Sequence, residues 1–159
     1  MSDVHSAAIR SKNMRAIKNK DTRPEILIRQ ALHARGLRFR LHVKTLPGTP
    51  DIVLPKFKAV VFVNGCFWHG HKCPLCKIPK TRADFWQTKI KSNHERDIIS
   101  ASKLTAEGWR IAIVWECALK GRQKLTFDVL VDRLSQWIAD PLIQTIEFKG
   151  TDIEGIQDT

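Results

Sequence analysis

The feature that most constrains this chain is a β-branched apolar run that ends in a turn and leads directly into metal-binding and aromatic residues. Ala59 to Val63 is predicted to be a buried strand, and Asn64-Gly65 is a turn pair. Cys66 to Cys73 then brings two Cys, two His and two large aromatic side chains together within eight residues. A purely structural domain rarely concentrates such chemistry at one strand end, so we predict a functional site here.

The charge balance indicates a polyanionic partner. The 159 residues include 27 Lys and Arg against 16 Asp and Glu, a net charge of +11 at pH 7. Aromatic residues lie beside basic ones, which favours nucleic acid over the alternative of a generally basic soluble protein. The sequence has no apolar run of membrane-spanning length and no signal-peptide core, so we expect an intracellular protein. Its four Cys are then reduced and available to a metal.

The spacing of apolar residues predicts an antiparallel meander followed by a crossover. Strands are predicted at 37–43, 51–54, 59–63 and 109–115, and helices at 22–36, about 83–107 and 126–138. A strand–helix–strand crossover is right-handed, so the strand at 109–115 should run parallel to the one at 59–63. The two strands would then end at one edge of the sheet, which brings Cys117 beside Cys66.

Six side chains near this edge are candidate ligands of a tetrahedral zinc ion: Cys66, His69, His71, Cys73, Cys76 and Cys117. Cys73 and Cys76 form a Cys-x-x-Cys pair, the spacing of many zinc knuckles. Sequence spacing alone does not choose four of the six. The alternative is a site without metal, in which the thiols are only small buried side chains.

Asp51 follows Pro50 at the start of a strand, and an apolar strand comes next, as in many metal-dependent nucleases. There the Asp binds Mg²⁺, which stabilises charge on the phosphate. The acidic residue and the lysine usual on the second strand are missing, because those places hold Phe62 and Asn64.

His69 is the candidate general base instead, with Asp97 orienting its imidazole. The alternatives are that His69 is a zinc ligand and that Asp97 is a surface charge on a helix. Glu25 lies three residues after Thr22, so a capping box is the simplest interpretation of Glu25.

Several long, ordered motifs resemble the very short patch repair (Vsr) DNA mismatch endonucleases. They are Leu46-Pro-Gly-x-Pro-Asp51, Val61-Phe-Val-Asn-Gly-Cys-Phe-Trp-His69, Asn93-x-Glu-Arg-Asp97, Gly108-Trp109, Trp115-Glu-Cys117, Arg10-Ser-Lys-Asn-Met-Arg15 and Thr22-x-x-Glu25. The resemblance covers about residues 3 to 138. It implies an α/β, restriction-endonuclease-like fold of the PD-(D/E)xK superfamily, in which helices flank a mixed central sheet and a structural zinc site is present.

The activity that the resemblance implies is Mg²⁺-dependent nicking of double-stranded DNA on the 5′ side of the T in a T:G mismatch. Such mismatches arise when 5-methylcytosine deaminates within a methyltransferase's recognition site, and the nick initiates very short patch repair. The alternatives are a nonspecific or differently specific nuclease of the same fold, and a zinc-stabilised DNA-binding protein without catalysis.

The implied partners are T:G-mismatched DNA and, functionally, a cytosine-C5 DNA methyltransferase, with mismatch-repair proteins and a repair polymerase as further candidates. We expect a monomer without membrane contact, associated with the nucleoid in the bacterial cytoplasm. The chain divides into a basic arm at 1–20 that orders on DNA, an endonuclease domain at 21–140 and a C-terminal tail at 141–159. The alternative for the arm is a frayed terminus, and the residues after Asp140 are expected to form a weak strand or a loose tail.

The resemblance also assigns catalytic roles. Asp51 and the backbone carbonyl of Val63 hold Mg²⁺, His69 is the general base, Asp97 supports it, and Glu25 assists. Many family members carry His at position 64, where it can donate a hydrogen bond to the scissile phosphate. The residue here, Asn64, can donate a hydrogen bond but cannot become cationic.

The same resemblance selects four zinc ligands and a DNA-binding surface. Zinc is held by Cys66, His71, Cys73 and Cys117, which leaves Cys76 spare. The aromatic wedges in the major groove would be Phe67, Trp68 and Trp86, and Met14 would enter the minor groove. The remaining DNA-binding residues are Lys12, Arg15, Lys89 and Asn93.

Overall fold

A mixed five-stranded sheet forms the frame of the protein, in the computed structural model that describes residues 21–150. The strands are β1 (Arg40–Leu41), β2 (Ile52–Leu54), β3 (Ala59–Asn64), β4 (Arg110–Trp115) and β5 (Thr145–Phe148). The helices are α1 (Arg23–Ala34), α2 (Ala83–Ala106), α3 (Glu116–Leu119) and α4 (Phe127–Ala139), and a 3-10 turn, Pro55–Phe57, joins β2 to β3. The predicted DNA contacts Lys12, Met14 and Arg15 lie outside the described residues.

The order of the strands in the sheet is β1-β2-β3-β4-β5, the same as their order in the sequence. β1, β2 and β3 form an antiparallel meander, and β4 runs parallel to β3, so both of these predictions are confirmed. β3 and β4 are paired along their whole length, from Ala59 opposite Arg110 to Asn64 opposite Trp115. Both strands therefore end at the same edge of the sheet, where Cys66 and Cys117 follow.

The structure revises one prediction about the outer strands and decides another. The strand predicted at 37–43 is reduced to Arg40–Leu41, because His42 has a φ of 47° and turns the chain out of extended conformation. At the other edge, Thr145–Phe148 pairs in parallel with β4. Of the two alternatives for the residues after Asp140, a weak strand or a loose tail, residues 145–148 take the strand.

The sheet lies between two helical layers because neighbouring residues of a strand face opposite sides. In β3, Val61 belongs to a buried cluster with Leu32 of α1 and Leu134 of α4. The preceding residue, Val60, packs in a second cluster with Leu104 of α2. Each such buried aliphatic side chain stabilises the fold by roughly 1.5–3 kcal/mol. These two layers hold the strand ends that carry the functional residues.

A buried guanidinium fixes β4 relative to α4. Arg110, the first residue of β4, donates hydrogen bonds to the carbonyl oxygens of Trp137 at 2.8 Å and Ile138 at 2.7 Å. These carbonyls lie in the last turn of α4, where no intrahelical donor remains for them.

In the described part of the chain, every helix is too short or too polar to span a bilayer.

Candidate active site and metal-binding cluster

A cleft of about 1080 Å³ opens at the sheet edge where β3 ends. Its walls come from the start of α1, from β2 and β3, from the loop after β3 and from the middle of α2. This cleft is lined by all of the side chains for which catalytic roles were predicted: Glu25, Asp51, Asn64, His69 and Asp97. Residues that are up to 72 positions apart in the sequence therefore line the same cleft.

Asp51 lies immediately before β2 and faces the end of β3. Its Oδ2 accepts a hydrogen bond from the backbone N–H of Val63 at 2.7 Å. Burial, reinforced by the neighbouring Glu25 and opposed by the Val63 hydrogen bond, raises the pKa of Asp51 to about 7. The charge of Glu25 disfavours the ionisation of Asp51, and a hard cation with oxygen ligands would relieve this repulsion. The residues present therefore fit a divalent metal ion.

Glu25 is 3% exposed although it carries a carboxylate. Its backbone N–H donates a hydrogen bond to Thr22 Oγ1 at 3.5 Å, which is one half of a capping box. The other half, a bond from the Thr22 N–H to the Glu25 carboxylate, is not formed. Instead, Oε2 accepts hydrogen bonds from the N–H of Asp21 at 3.0 Å and from Nε2 of His42 at 2.9 Å. The carboxylate is thus directed toward the cleft, so Glu25 is more than a helix cap.

His42 also lines this cleft, although the sequence analysis assigned it no role. The alternating pattern at 37–43 placed it on the basic face of a strand, and no local motif singled it out. In the structure, its Nε2 lies 2.9 Å from Glu25 Oε2 and 4.0 Å from Asp51 Oδ1.

His69 is oriented by Asp97. The distance from His69 Nδ1 to Asp97 Oδ2 is 2.5 Å. Because a carboxylate only accepts hydrogen bonds, Nδ1 carries the proton and Nε2 keeps a lone pair that can accept one. Asp97 therefore has a partner within the site, which argues against the alternative of a plain surface charge.

Asn64 is the last residue of β3 and is 8% exposed. It lies opposite Trp115 in the parallel register and contributes to the wall of the cleft. The main chain at this point passes from the strand into the loop that carries His69. A side chain amide at this position can present a hydrogen-bond donor to a ligand in the cleft.

Beside the cleft, the structure brings together the ligand atoms of Cys66, His71, Cys73 and Cys117, all within 4.8 Å of one another. His71 Nδ1 lies 3.6 Å from Cys117 Sγ. Ligand atoms of a tetrahedral zinc site, with bonds of about 2.0–2.3 Å, are roughly 3.3–3.8 Å apart. The donor set, three thiols and one imidazole, is therefore close to the geometry that zinc requires. His69 and Cys76 are not part of this group.

The cysteine sulfur atoms are held by backbone donors. The N–H of Cys117 donates to Cys66 Sγ at 3.3 Å, and the N–H of Gly150 donates to Cys117 Sγ at 3.2 Å. The side-chain hydrogen bond between the two cysteines lowers the pKa of Cys117 to about 5 and raises that of Cys66. One sulfur is thus kept as a thiolate, the form that binds metals. A Cβ at Gly150 would lie only 2.7 Å from the Cys117 carbonyl oxygen, so glycine is required there.

The imidazole of His71 is fixed by stacking. It lies on the indole of Trp115 with a centroid distance of 4.2 Å and an angle of 13° between the rings. The indole Nε1 of Trp115 in turn donates a hydrogen bond to the carboxylate of Glu147 in β5. The edge strand therefore supports the metal-binding cluster through Trp115.

Four aromatic side chains form a group next to the mouth of the cleft. Ring centroids are 5.1 Å apart for Phe67 and Trp68, 5.4 Å for Phe67 and Trp86, and 5.8 Å for Trp68 and Trp86. Phe85, which the sequence did not single out, is 45% exposed and edge-on to Trp86 at 5.1 Å. The guanidinium of Arg82 lies 4.4 Å from the Phe85 ring centroid. Exposed aromatic rings beside cations are suited to bases and phosphates.

The other two predicted DNA-binding residues in the described range lie on α2. Lys89 is exposed. Asn93 donates a hydrogen bond from Nδ2 to the carbonyl oxygen of Trp68 at 2.9 Å and accepts one from Arg96 at 2.6 Å. Asn93 therefore ties the loop after β3 to the helix.

Comparisons with known proteins identify the family that this chain resembles. Residues 2–75 match the sequence model of a family described as DNA mismatch endonuclease Vsr. The chain is 51% identical over 138 residues to the DNA mismatch endonuclease Vsr of Escherichia coli strain K12, which covers 87% of this chain and 88% of that protein.

Two further relatives are described as type II nicking enzymes. V.XorIIP of Xanthomonas oryzae pv. oryzae is 51% identical over 119 residues, 75% of this chain and 88% of the relative. V.NmeAIP of Neisseria meningitidis serogroup A is 46% identical over 122 residues, 77% of this chain and 87% of the relative.

Proposed function

This chain belongs to the Vsr family of DNA mismatch endonucleases, and from that membership we propose how its site cuts DNA. The family has a restriction-endonuclease-like fold and acts on mismatched DNA. We propose that the mismatch is T:G, formed by deamination of 5-methylcytosine in a site of a cytosine-C5 DNA methyltransferase. The phosphodiester bond on the 5′ side of the mismatched T is hydrolysed, and this nick initiates very short patch repair.

The metal-binding part of the site consists of Asp51 and the backbone carbonyl of Val63, with Glu25 assisting. The raised pKa of Asp51 and its closeness to Glu25 support this assignment, because both favour a positive charge between the two carboxylates. When bound, Mg²⁺ supplies Lewis-acid stabilisation of the charge that develops on the scissile phosphate.

His69 is the general base. Its Nε2 takes a proton from the attacking water as the water oxygen bonds to phosphorus. The bond from phosphorus to the leaving oxygen breaks, and that oxygen keeps the electron pair and takes up a proton from solvent. Asp97 keeps the Nδ1 proton in place and stabilises the imidazolium that forms. Asn64 donates a hydrogen bond from its amide to the phosphate, as a neutral counterpart of the His in many relatives.

The metal-binding cluster is a structural zinc site. Cys66, His71, Cys73 and Cys117 provide four protein ligands, which leaves no open position for a substrate. Three of the ligands flank or follow His69, so zinc would clamp both ends of the loop that carries the general base and two of the aromatic residues. Its role is therefore to hold the loop in the geometry that the reaction needs.

Recognition depends on unstacking the mismatched base pair. Phe67, Trp68 and Trp86 enter the major groove beside the mismatch, and Met14 enters the minor groove from the basic arm at 1–20. Unstacking a step costs about a few kcal/mol, and less at a mismatch than at a Watson–Crick pair. Contacts to the backbone come from Lys12, Arg15 and Lys89, while Asn93 fixes Trp68.

Further proposals concern organisation and partners. We propose that residues 21–140 form the main part of the endonuclease domain, that the C-terminal segment 141–159 belongs to it through β5, and that the enzyme acts as a monomer. Mismatch-repair proteins and a repair polymerase would act on the nicked product.

The observation that carries this proposal is the convergence of Asp51, Glu25 and the His69–Asp97 pair in one cleft. A nicking assay with Mg²⁺ on T:G, G:C and other mismatched duplexes, over varied flanking sequence, tests it. Cutting confined to T:G supports the proposal. Equal cutting of all duplexes would indicate a nonspecific nuclease, and no cutting of any would indicate a DNA-binding protein without catalysis.

A further inference from the structure

His42 holds a backbone conformation that needs an explanation. Its φ of 47° lies in the left-handed region, which costs a non-glycine residue of order 1 kcal/mol or more. The conformation is secured by a hydrogen bond from the His42 N–H to the carbonyl oxygen of Asp51 at 3.2 Å. The turn ends β1 after two residues and directs the imidazole into the cleft.

The side chain of His42 has three acidic neighbours, because a ligand atom of Asp21 also lies within 4.8 Å of those of His42 and Glu25. Nε2 lies 2.9 Å from Oε2 of Glu25 and 4.0 Å from Oδ1 of Asp51. The imidazole is 16% exposed, so little solvent competes for this contact. Because a carboxylate only accepts, Nε2 carries the hydrogen atom of the shorter contact.

These contacts connect two elements that must act together. Glu25 belongs to α1, whereas Asp51 precedes β2. His42 bonds to the first through its side chain and to the second through its backbone. Its imidazole thus fixes the Glu25 carboxylate at a defined place relative to Asp51.

We propose that His42 is a positioning residue for the divalent-cation site, which it organises by holding Glu25 beside Asp51. This inference rests on the proposed function, because it assumes that the two carboxylates serve a cation. Partners that orient metal ligands through hydrogen bonds typically change metal affinity by about 10- to 100-fold when they are removed. His42 should act in the same way, without contacting the substrate itself.

The test measures cation binding directly, in full-length protein whose cysteine cluster has first been saturated with Zn²⁺. Titration calorimetry with Mn²⁺ in the absence of DNA should show binding at least about tenfold weaker for His42→Ala than for the wild type. The amide nitrogen of Gln reaches the place of Nε2, so His42→Gln should restore most of the affinity. His33→Ala, which removes an exposed imidazole on α1 outside the cleft, is the matched control and should bind like wild type.

Nicking assays provide a second readout. The Mg²⁺ concentration for half-maximal nicking should rise by the same factor in His42→Ala, and most of the rate should return at saturating Mg²⁺. A purely structural role would lower the rate at all Mg²⁺ concentrations alike. A double-mutant cycle with Glu25→Ala should show that His42→Ala has no further effect once the acceptor is gone.

The outcomes separate this inference from the function on which it rests. If wild type binds Mn²⁺ and His42→Ala binds it equally well, the positioning role is overturned and the proposed function stands. Failure of His42→Gln to restore binding would overturn the role of the N–H donor. If wild type neither binds Mn²⁺ nor requires a cation for nicking, the proposed cation-dependent function is wrong. The inference about His42 is then wrong as well, because it assumes a cation site. Should His42→Ala prove too unstable to assay, the comparison of wild type, His42→Gln and Glu25→Ala decides.

Discussion

The Nδ1 of His69 and the Oδ2 of Asp97 are 2.5 Å apart, although the two residues are separated by 28 positions in the sequence. The imidazole comes from the loop after β3 and the carboxylate from the middle of α2. A helix that packs against the sheet thus decides which nitrogen of the histidine carries its proton. The first prediction follows from this pair.

Asp97→Asn should lower the nicking rate strongly while leaving DNA binding intact. A neutral amide cannot stabilise the imidazolium and can present its N–H to Nδ1, which would favour the wrong tautomer. General-base catalysis contributes about 10²- to 10⁴-fold, so we expect a loss approaching that of His69→Ala. Single-turnover nicking and gel-shift binding measure the two effects. Asp128→Asn, an exposed carboxylate on α4, is the control, and an equal loss there would remove the special role of Asp97.

Asp51→Asn should retain mismatch binding and abolish nicking, because a neutral amide is a much poorer ligand for Mg²⁺ than a carboxylate. Rates over a range of Mg²⁺ concentrations check this expectation. Nicking at near wild-type rate would show that the cation is held elsewhere.

The same substitution should change the pH dependence of stability in protein without added Mg²⁺. The pKa of Asp51 is about 7 in the folded state against 3.8 for the unperturbed group, so the folded protein binds this proton more tightly. The stabilisation is fully present below about pH 3.8 and is lost as the pH rises toward 7. Relative to Asp51→Asn, wild type should therefore lose up to a few kcal/mol of unfolding free energy between pH 4.5 and 8. Urea unfolding of both proteins tests this, and parallel curves would contradict it.

Cys117→Ala should lose bound zinc and stability together, because binding at a structural zinc site is coupled to folding. Cys76→Ala should lose neither, since Cys76 is outside the group of four ligand atoms. Metal analysis and thermal unfolding of the two purified variants make the comparison. Loss of zinc from the Cys76 variant would revive the Cys73-x-x-Cys76 knuckle.

Asn64→His should nick faster than wild type below about pH 7, with the advantage fading as the pH rises. An imidazolium could form a charge-assisted hydrogen bond to the phosphate, about twice as strong as a neutral one, and an unperturbed histidine titrates near pH 6.5. The ratio of the two rates is the quantity to follow, because His69 affects both proteins equally. A ratio that stays constant from pH 6 to 8.5 would place residue 64 away from the phosphate.

The sequence predicted the centre of the fold better than its edges. β3, β4 and α2 have strong periodic patterns, so their places, and the meeting of Cys66 with Cys117, could be predicted. β5 is different: three of its four residues are not fully buried, and its position depends on pairing with β4, which local pattern does not reveal.

The residues of the site also fall into those that the sequence predicts and those that it does not. Asp51, His69 and Asp97 stand in motifs that a reader of the sequence can find, and the structure brings them into one cleft. His42 was missed because a histidine in left-handed conformation has no local signature, and its contacts with Glu25 and Asp51 exist only in the folded chain. Phe85 was missed because its neighbour Trp86 already accounted for the aromatic character of that turn.

The agreement between strand order in the sheet and strand order in the sequence has a consequence for synthesis of the enzyme. Each strand after β1 can join the sheet as soon as it leaves the ribosome, because its partner has already been made. The pairings among β1, β2 and β3 are short-range in the sequence, which favours rapid folding of this part. The carboxylates of the cleft then assemble early. The four ligand atoms of the proposed zinc site, which would hold the loop that bears His69, cannot come together until Cys117 has been translated. A nascent chain would therefore remain unable to cut DNA until almost the whole domain has emerged.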